Sequence, residues 1–463
     1  MGKAGVGRAR SWGLFPARDF ANRRPSLWSS DGPDSSAEHA APASGFTDRH
    51  GQPLRRHGGS VSTLPGPSLA ELTIDPHPHL AALRRTGPIC WVESLGGWMV
   101  VGHALAAVVM RNATTFTVDD PRFTTSRVVG ASMLSTDGPD HQRHRQPFLA
   151  PFTPRASRAY FAEFVEQEAA RLVGELAPLG RAELRTSLAA PLATASMQLA
   201  LGLERIPVDE LLGWYGTIVQ AVADITAGSP PPEAGRAAYR SLSGAIESTI
   251  AAAGSDTFLS QVRSAADALT TTEMLSNTAV LLFGGIETTE GMIANLLRHL
   301  LDDPMLLAEV DRDAGLLDAA IEESLRMEPA AAVVDRYATA DVRIGGADIR
   351  RGDLVVVSLA GANRDPAVFA DPDTFDPRRP DLRKQLAFAQ GPHVCIGLHL
   401  ARLETRCAVS NLLKLPGLEP DRVRTTAPSG LVFRKPQAVW ATWSASRTHG
   451  SRRVGRVGLE PTT

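Results

Sequence analysis

A mainly helical protein with a minor β part is predicted by three features of the sequence. Helical apolar periodicity runs from about residue 67 to 443, only two short stretches within it read as strands, and the apolar residues are dominated by Ala and Leu. Hydrophobic residues make up 43% of the 463-residue chain and aromatics 6%, ordinary values for a core large enough to enclose a ligand.

Residues 1–66 are rich in Ser, Pro, Gly, Arg and His and show no apolar period, so they are expected to form a disordered leader. Their first 24 residues faintly resemble a transit peptide and lack the apolar segment of a secretion signal. Residues 67–443 then read as one continuous domain. Ile89 to Glu93 and Trp98 to Gly102, separated by Gly96 and Gly97, form a hairpin pattern. Asp137, Gly138 and Pro139 mark a helix start that places His141 and Arg145 on one face at i, i+4. Two such donors can clasp a carboxylate, and the same pair also fits a solvated charged face.

The stretch from Thr271 to Leu300 is a long apolar helix interrupted by Gly284, Gly285, Glu287, Thr288 and Thr289. An acid and hydroxyls in an apolar helix are costly unless they meet partners or a task. The Thr288 hydroxyl can bond back to the carbonyl of residue 284, and the glycines let a ligand lie against the backbone. A packed helix with a polar patch is the alternative. Glu323 and Arg326, at i, i+3, suit an ion pair that Arg379 can join. Val342 to Val357, with turn residues between two strand-like runs, suggests a small sheet.

The segment FAQGPHVCIGLHLARLE, residues 388–404, sets Cys395 between a Gly/Pro loop and a helix that starts near Gly397. A thiol there faces free N–H groups and the positive end of the helix dipole, which stabilises its thiolate. Gly391 and Gly397 remove side chains where a flat macrocycle would approach the backbone. Alone, the cysteine is equally a small buried thiol. Residues 444–463 are expected to be a disordered tail.

Several function classes are excluded on composition. Lys and Arg outnumber Asp and Glu in residues 1–60 and again in 444–463, so although the chain carries only −2 overall, the part between is acidic and offers nucleic acid no basic face. No run approaches 18 consecutive apolar residues, so no membrane span is expected. Three cysteines (Cys90, Cys395, Cys407) make neither a disulfide framework nor the four ligands of an iron–sulfur cluster, which suits a cytoplasmic protein that takes electrons from outside.

Taken together, the four segments around His141, Thr288, Glu323 and Cys395 resemble the cytochrome P450 family over residues 67–443. The resemblance implies that fold, with haem b between a long distal helix and a proximal cysteine-loop helix. It implies Cys395 as the iron ligand, in a haem-binding loop that includes Phe388, Gly391 and Gly397. His141, Arg145, Arg336 and His393 match the positions that bond the haem propionates, and Glu323, Arg326 and Arg379 match a structural charge cluster. Gly285, Glu287 and Thr288 match the distal helix's acid–alcohol motif, which delivers protons to dioxygen. The implied activity is monooxygenation, hydroxylating or epoxidising a hydrophobic small molecule with two electrons from a ferredoxin and its reductase. Arg383, Lys384, Arg402 and Arg406 would receive that ferredoxin. The pocket would be lined from Val118–Val129, Leu281–Gly284, Ala331–Val334 and Leu431–Val432. A peroxide-driven peroxygenase and a non-catalytic haem-binding protein are the alternatives. The loop departs from the family by carrying Ala389 where Gly is usual; its methyl is tolerated if that residue keeps φ below zero.

Overall fold

The computed structural model describes residues 66–445, apart from 227–229, 231, 253–257, 260–261 and 263–268. The expected leader before residue 66 and the expected tail beyond 445 lie outside these residues.

The architecture is built on a 32-residue helix, Thr271–Asp302. Thr270 starts it with a capping box: its hydroxyl accepts the Glu273 N–H, while Glu273 accepts the Thr270 N–H at 2.8 Å. Nearly every side chain of this helix from Met274 to Leu301 is buried, because it runs through the middle of the helical layer. Helices Ala190–Leu201, Ala314–Met327 and Leu398–Leu412 pack around it. By length and composition alone it is long and apolar enough to cross a membrane, although its apolar residues are not consecutive. However, 83% of its most apolar window is covered by the protein itself, as in a core helix.

Five strands form the main sheet in the order β1 (Ile89–Val92), β2 (Gly97–Val100), β8 (Leu354–Ser358), β5 (Val333–Ala338), β3 (Phe116–Thr117). The expected hairpin is β1–β2, with Trp91 opposite Trp98, and only the β2–β8 pairing is parallel. The stretch Val342–Val357 divides between two sheets rather than forming one. Val342–Ile344 (β6) and Ala347–Ile349 (β7) close a separate hairpin. The Val355–Ser358 run is buried at every residue and therefore takes a central position in the main sheet.

The Glu323 cluster holds the irregular segment 363–379 to the helix Ala314–Met327. Arg326 grips Glu323 through two bonds of 2.7 and 2.8 Å, and Arg379 adds a third at 3.1 Å. The remaining Arg326 N–H groups donate to the carbonyls of Asn363 and Pro372 at 3.0 and 2.7 Å, and to that of Thr374. Both Glu323 and Arg326 are completely buried.

Candidate active site

An internal cavity of about 310 Å³ lies between the long helix and the cysteine loop. Cys395 lines its floor, reached by a one-turn 3-10 helix, Gly391–His393, and followed at once by the helix Leu398–Leu412. The loop is pinned by the Cys395 N–H, which donates to the Phe388 carbonyl at 2.9 Å. Gly391 has φ +78, and a Cβ there would meet the Met110 carbonyl oxygen at 2.5 Å. Its reason for being glycine is thus the protein's own backbone, not the approach of a macrocycle. At Gly397 an added Cβ would meet no atom within 4 Å.

Two expectations for this loop are corrected. Ala389 has φ +57, in the left-handed region, so its methyl is accommodated despite a strained backbone rather than by avoiding one. That conformation costs about 1–2 kcal/mol for a non-glycine residue. A β-branched side chain would cost more. The melting temperature should therefore fall for Ala389→Val and should not fall for Ala389→Gly, which calorimetry of the three proteins will check. The second correction concerns the thiol. Burial raises the Cys395 pKa and outweighs the opposing pull of the Gly397 N–H, Arg145 and Arg402. The helix end alone does not make a thiolate here, and a cation bound to the sulfur would be needed to favour that form.

Beside the cysteine, three basic side chains converge on the cavity: Arg145, Arg336 and His393. Arg145 donates to the Val394 carbonyl at 2.6 Å, and Arg336, almost fully buried, donates among the described residues only to the Asp335 carbonyl at 2.7 Å. His141 stacks on His393 with ring centres 4.3 Å apart, and its buried Nε2 has no partner among the described residues. Burial and the neighbouring His393 and Arg145 push the His141 pKa down to about 4. Arginine side chains facing one cavity with N–H groups left over, beside a histidine, are the complement of a ligand with acidic groups, although His141 itself does not line that cavity. The residues therefore fit haem: a sulfur on the floor, and side chains at the edge for two propionates. Asp137, read from sequence only as a helix start, proves to orient one of them, His393. It accepts the Thr117 hydroxyl at 2.7 Å and the Val118 N–H at 2.8 Å, and it pairs with His393 Nε2 at 2.8 Å.

On the opposite wall, the Thr288 hydroxyl faces the cavity and donates to the Gly284 carbonyl at 2.5 Å, as the spacing suggested. Gly284 is open, whereas a Cβ on Gly285 would strike the Met197 sulfur at 2.3 Å, so that glycine serves helix packing. Glu287 is not brought to the cavity. It is buried on the far side of the helix, where it accepts the Tyr215 hydroxyl and pairs with Lys435 Nζ at 2.8 Å. Lys435 also meets Glu290, which Arg185 holds at 2.6 Å. Of this polar cluster the sequence revealed only Glu287. Tyr215, Arg185 and Lys435 come from distant segments whose local patterns say nothing of their meeting.

Val118, Phe123–Thr125, Phe283, Ala331, Val334 and Val432 complete a mainly apolar wall, while Val129 and Leu431 from the expected set turn into other packing. Phe388 carries the Arg402 guanidinium over its ring at 4.4 Å. Arg402 is tied to Glu322 at 2.5 Å and Arg406 pairs with Asp318, so two of the four cations expected to receive a ferredoxin are already neutralised.

Known proteins match this arrangement. The profile of the cytochrome P450 family matches residues 246–438. The cytochrome P450 monooxygenase PikC of Streptomyces venezuelae is 34% identical over 410 residues, which cover 82% of this chain and 94% of the relative. The crystal structure of CalO2 superposes with a TM-score of 0.73 at 27% identity, covering 80% of this chain and 96% of the other. That of P450BioI, bound to an acyl carrier protein carrying hexadec-9Z-enoic acid, does so with a TM-score of 0.71 at 27% identity, covering 80% and 99%.

Proposed function

The chain belongs to the cytochrome P450 family, whose members are haem b monooxygenases acting on small molecules, and from this premise we propose that it hydroxylates or epoxidises a hydrophobic compound. One observation carries the reading: an apolar cavity with a thiol on its floor and a helix-borne hydroxyl on its opposite wall. Haem ligated by a thiolate activates dioxygen when supplied with two electrons.

In this reading Cys395 holds the iron, and its sulfur gains a compensating charge for its burial. Arg145, Arg336, His141 and His393 bind the propionates, with Asp137 fixing His393 from behind. Phe388 and Gly397 border the sulfur, the first accepting the Cys395 N–H through its carbonyl and the second offering its own N–H to the sulfur. Thr288 keeps a hydroxyl at the reacting face, oriented by its bond to the Gly284 carbonyl. Glu287 passes protons toward Thr288 from the Tyr215 and Lys435 side, and Gly285 seats that stretch of helix against Met197. The domain extends over residues 67–443, and the protein works in the cytoplasm.

Electrons come from a ferredoxin and its reductase. Arg383 and Lys384 are exposed, make no ion pair with a described residue and lie beside the cysteine loop, so they, more than Arg402 and Arg406, offer an acidic carrier a landing point. Incubation of the purified protein with ferredoxin, reductase and labelled dioxygen over a panel of apolar compounds tests the reading. Label in a product is expected. Product formed from hydrogen peroxide alone, with none from dioxygen, favours a peroxygenase, and stable haem without product under either condition favours a non-catalytic haem protein.

A further inference from the structure

We propose that Asn277 is a positioning residue for the substrate: it fixes the far end of the chamber's loop wall and ties that wall, through His144, to the helix Gly138–Arg145. The inference rests on the reading of the cavity as a haem and substrate chamber.

The long helix and β5 hold their own shape where they wall the chamber. The stretch from Val118 to Leu134 does not: it supplies Val118, Phe123, Met133 and Leu134 to the lining, yet contains only the one-turn helix Ser126–Val129. Such a segment lies where side chains of other elements hold it. At its near end Asp137 accepts the Val118 N–H at 2.8 Å. At its far end two consecutive residues of the long helix do the holding. Ser276 donates to the Val129 carbonyl at 2.5 Å, and Asn277 Oδ1 accepts the Met133 N–H at 2.7 Å. In the turn that contains Met133, the Ser132 N–H is served locally by Ser135 Oγ and the Ser135 N–H by the Ser132 carbonyl, both at 3.0 Å. The Met133 N–H instead reaches the long helix.

Asn277 is wholly buried, and its carboxamide has one orientation that satisfies its neighbours. The Met133 N–H can only donate and the Glu273 carbonyl can only accept, so Oδ1 faces the first and Nδ2 the second, at 2.8 Å. The other Nδ2 hydrogen goes to His144 Nδ1 at 2.9 Å. That bond uses the Nδ1 lone pair, so His144 carries its proton on Nε2, 3.3 Å from Glu273 Oε1. The amide thus joins three segments through bonds that cannot be exchanged, and a fully satisfied buried polar network specifies one arrangement of its parts. His144 stands between His141 and Arg145, which the proposed function assigns to the propionates, so the substrate wall and the haem-holding helix share one frame. Without the amide, the Met133 N–H is buried with no acceptor, and the turn must move toward water, carrying Met133 and Leu134 with it.

The test uses two iron ligands of unequal reach, imidazole and 1-dodecylimidazole, with dissociation constants read from the Soret shift of the haem-loaded protein. Imidazole reports on the iron alone, whereas the dodecyl chain must lie along the chamber wall. Asn277→Leu should raise the constant for 1-dodecylimidazole at least about tenfold and that for imidazole less than about twofold, the scale of one lost buried bond that orders the wall. His144→Leu should weaken the long ligand about threefold or more, while His144→Asn, whose amide oxygen can replace Nδ1 as acceptor, should stay within about twofold of the wild type. Equal changes for both ligands in Asn277→Leu overturn the proposal, because the residue then supports the fold as a whole, and so does no change for either. If Asn277→Leu takes up no haem, the two His144 variants decide: equal binding of the long ligand by both overturns the proposal. Loss of haem from His144→Leu also overturns it, since the cluster would then support the haem site and not the wall. The carbon monoxide spectrum of the wild type separates these failures from failure of the haem reading, which stands if that spectrum is of the thiolate type.

Discussion

Replacing Thr288 by alanine is expected to uncouple turnover: electron consumption continues, peroxide release rises, and product formed per electron falls at least about tenfold. That size follows from removing a positioned proton donor, which contributes on the order of 10²–10⁴ in rate. The geometry makes the variant informative. The hydroxyl's only described partner is the Gly284 carbonyl at 2.5 Å, so the substitution removes one local bond, worth about 1 kcal/mol, and the fold should survive. Thr288→Ser retains the hydroxyl and should retain most of the coupling. Unchanged coupling in Thr288→Ala would remove this residue from proton delivery and leave the Glu287 cluster, which already lies behind the helix, without a route to the cavity.

Arg326→Ala is expected to have the largest effect on stability. Glu323 and Arg326 are both wholly buried, and the guanidinium serves three carbonyls besides the carboxylate. Removing it leaves an unpaired buried charge, a loss of about 3–5 kcal/mol, of the same order as the whole stability of many domains. Soluble yield and haem content should collapse together. Arg402→Ala provides the contrast. Its pair with Glu322 is partly exposed, and exposed pairs contribute about 0–1 kcal/mol, so thermal melting should shift little. If Arg326→Ala melts like the wild type, the cluster does not hold the segment 363–379 in place.

The elements legible in the sequence are those whose signals are local. The long helix declared itself through its apolar run, the β1–β2 hairpin through Gly96 and Gly97, and the cysteine loop through its glycines and the helix that follows. The Thr288 back-bond was likewise a matter of i, i+4 spacing. What stayed hidden depends on contacts between distant segments. Asp137 gave a helix-start pattern, and nothing local indicated that its carboxylate would bind Thr117, the Val118 N–H and His393 rather than cap its own helix. Glu287 was readable as an acid beside Thr288, but the direction in which it points is set by Tyr215 and Lys435, which lie 72 and 148 positions away in the sequence. The positive φ at Ala389 could not be anticipated, because alanine ordinarily signals the opposite. The division of residues 342–357 between two sheets was decided by tertiary burial of Val355–Ser358.

The haem assignment at Cys395 supports everything else, and the difference spectrum of the reduced protein under carbon monoxide tests it most directly. A Soret band at the red-shifted position of thiolate-ligated haem, absent from Cys395→Ala, is the expected result. A band of the histidine-ligated type, or the same band in the variant, would contradict the assignment of Cys395 as the iron ligand and with it the roles given to the cavity around it.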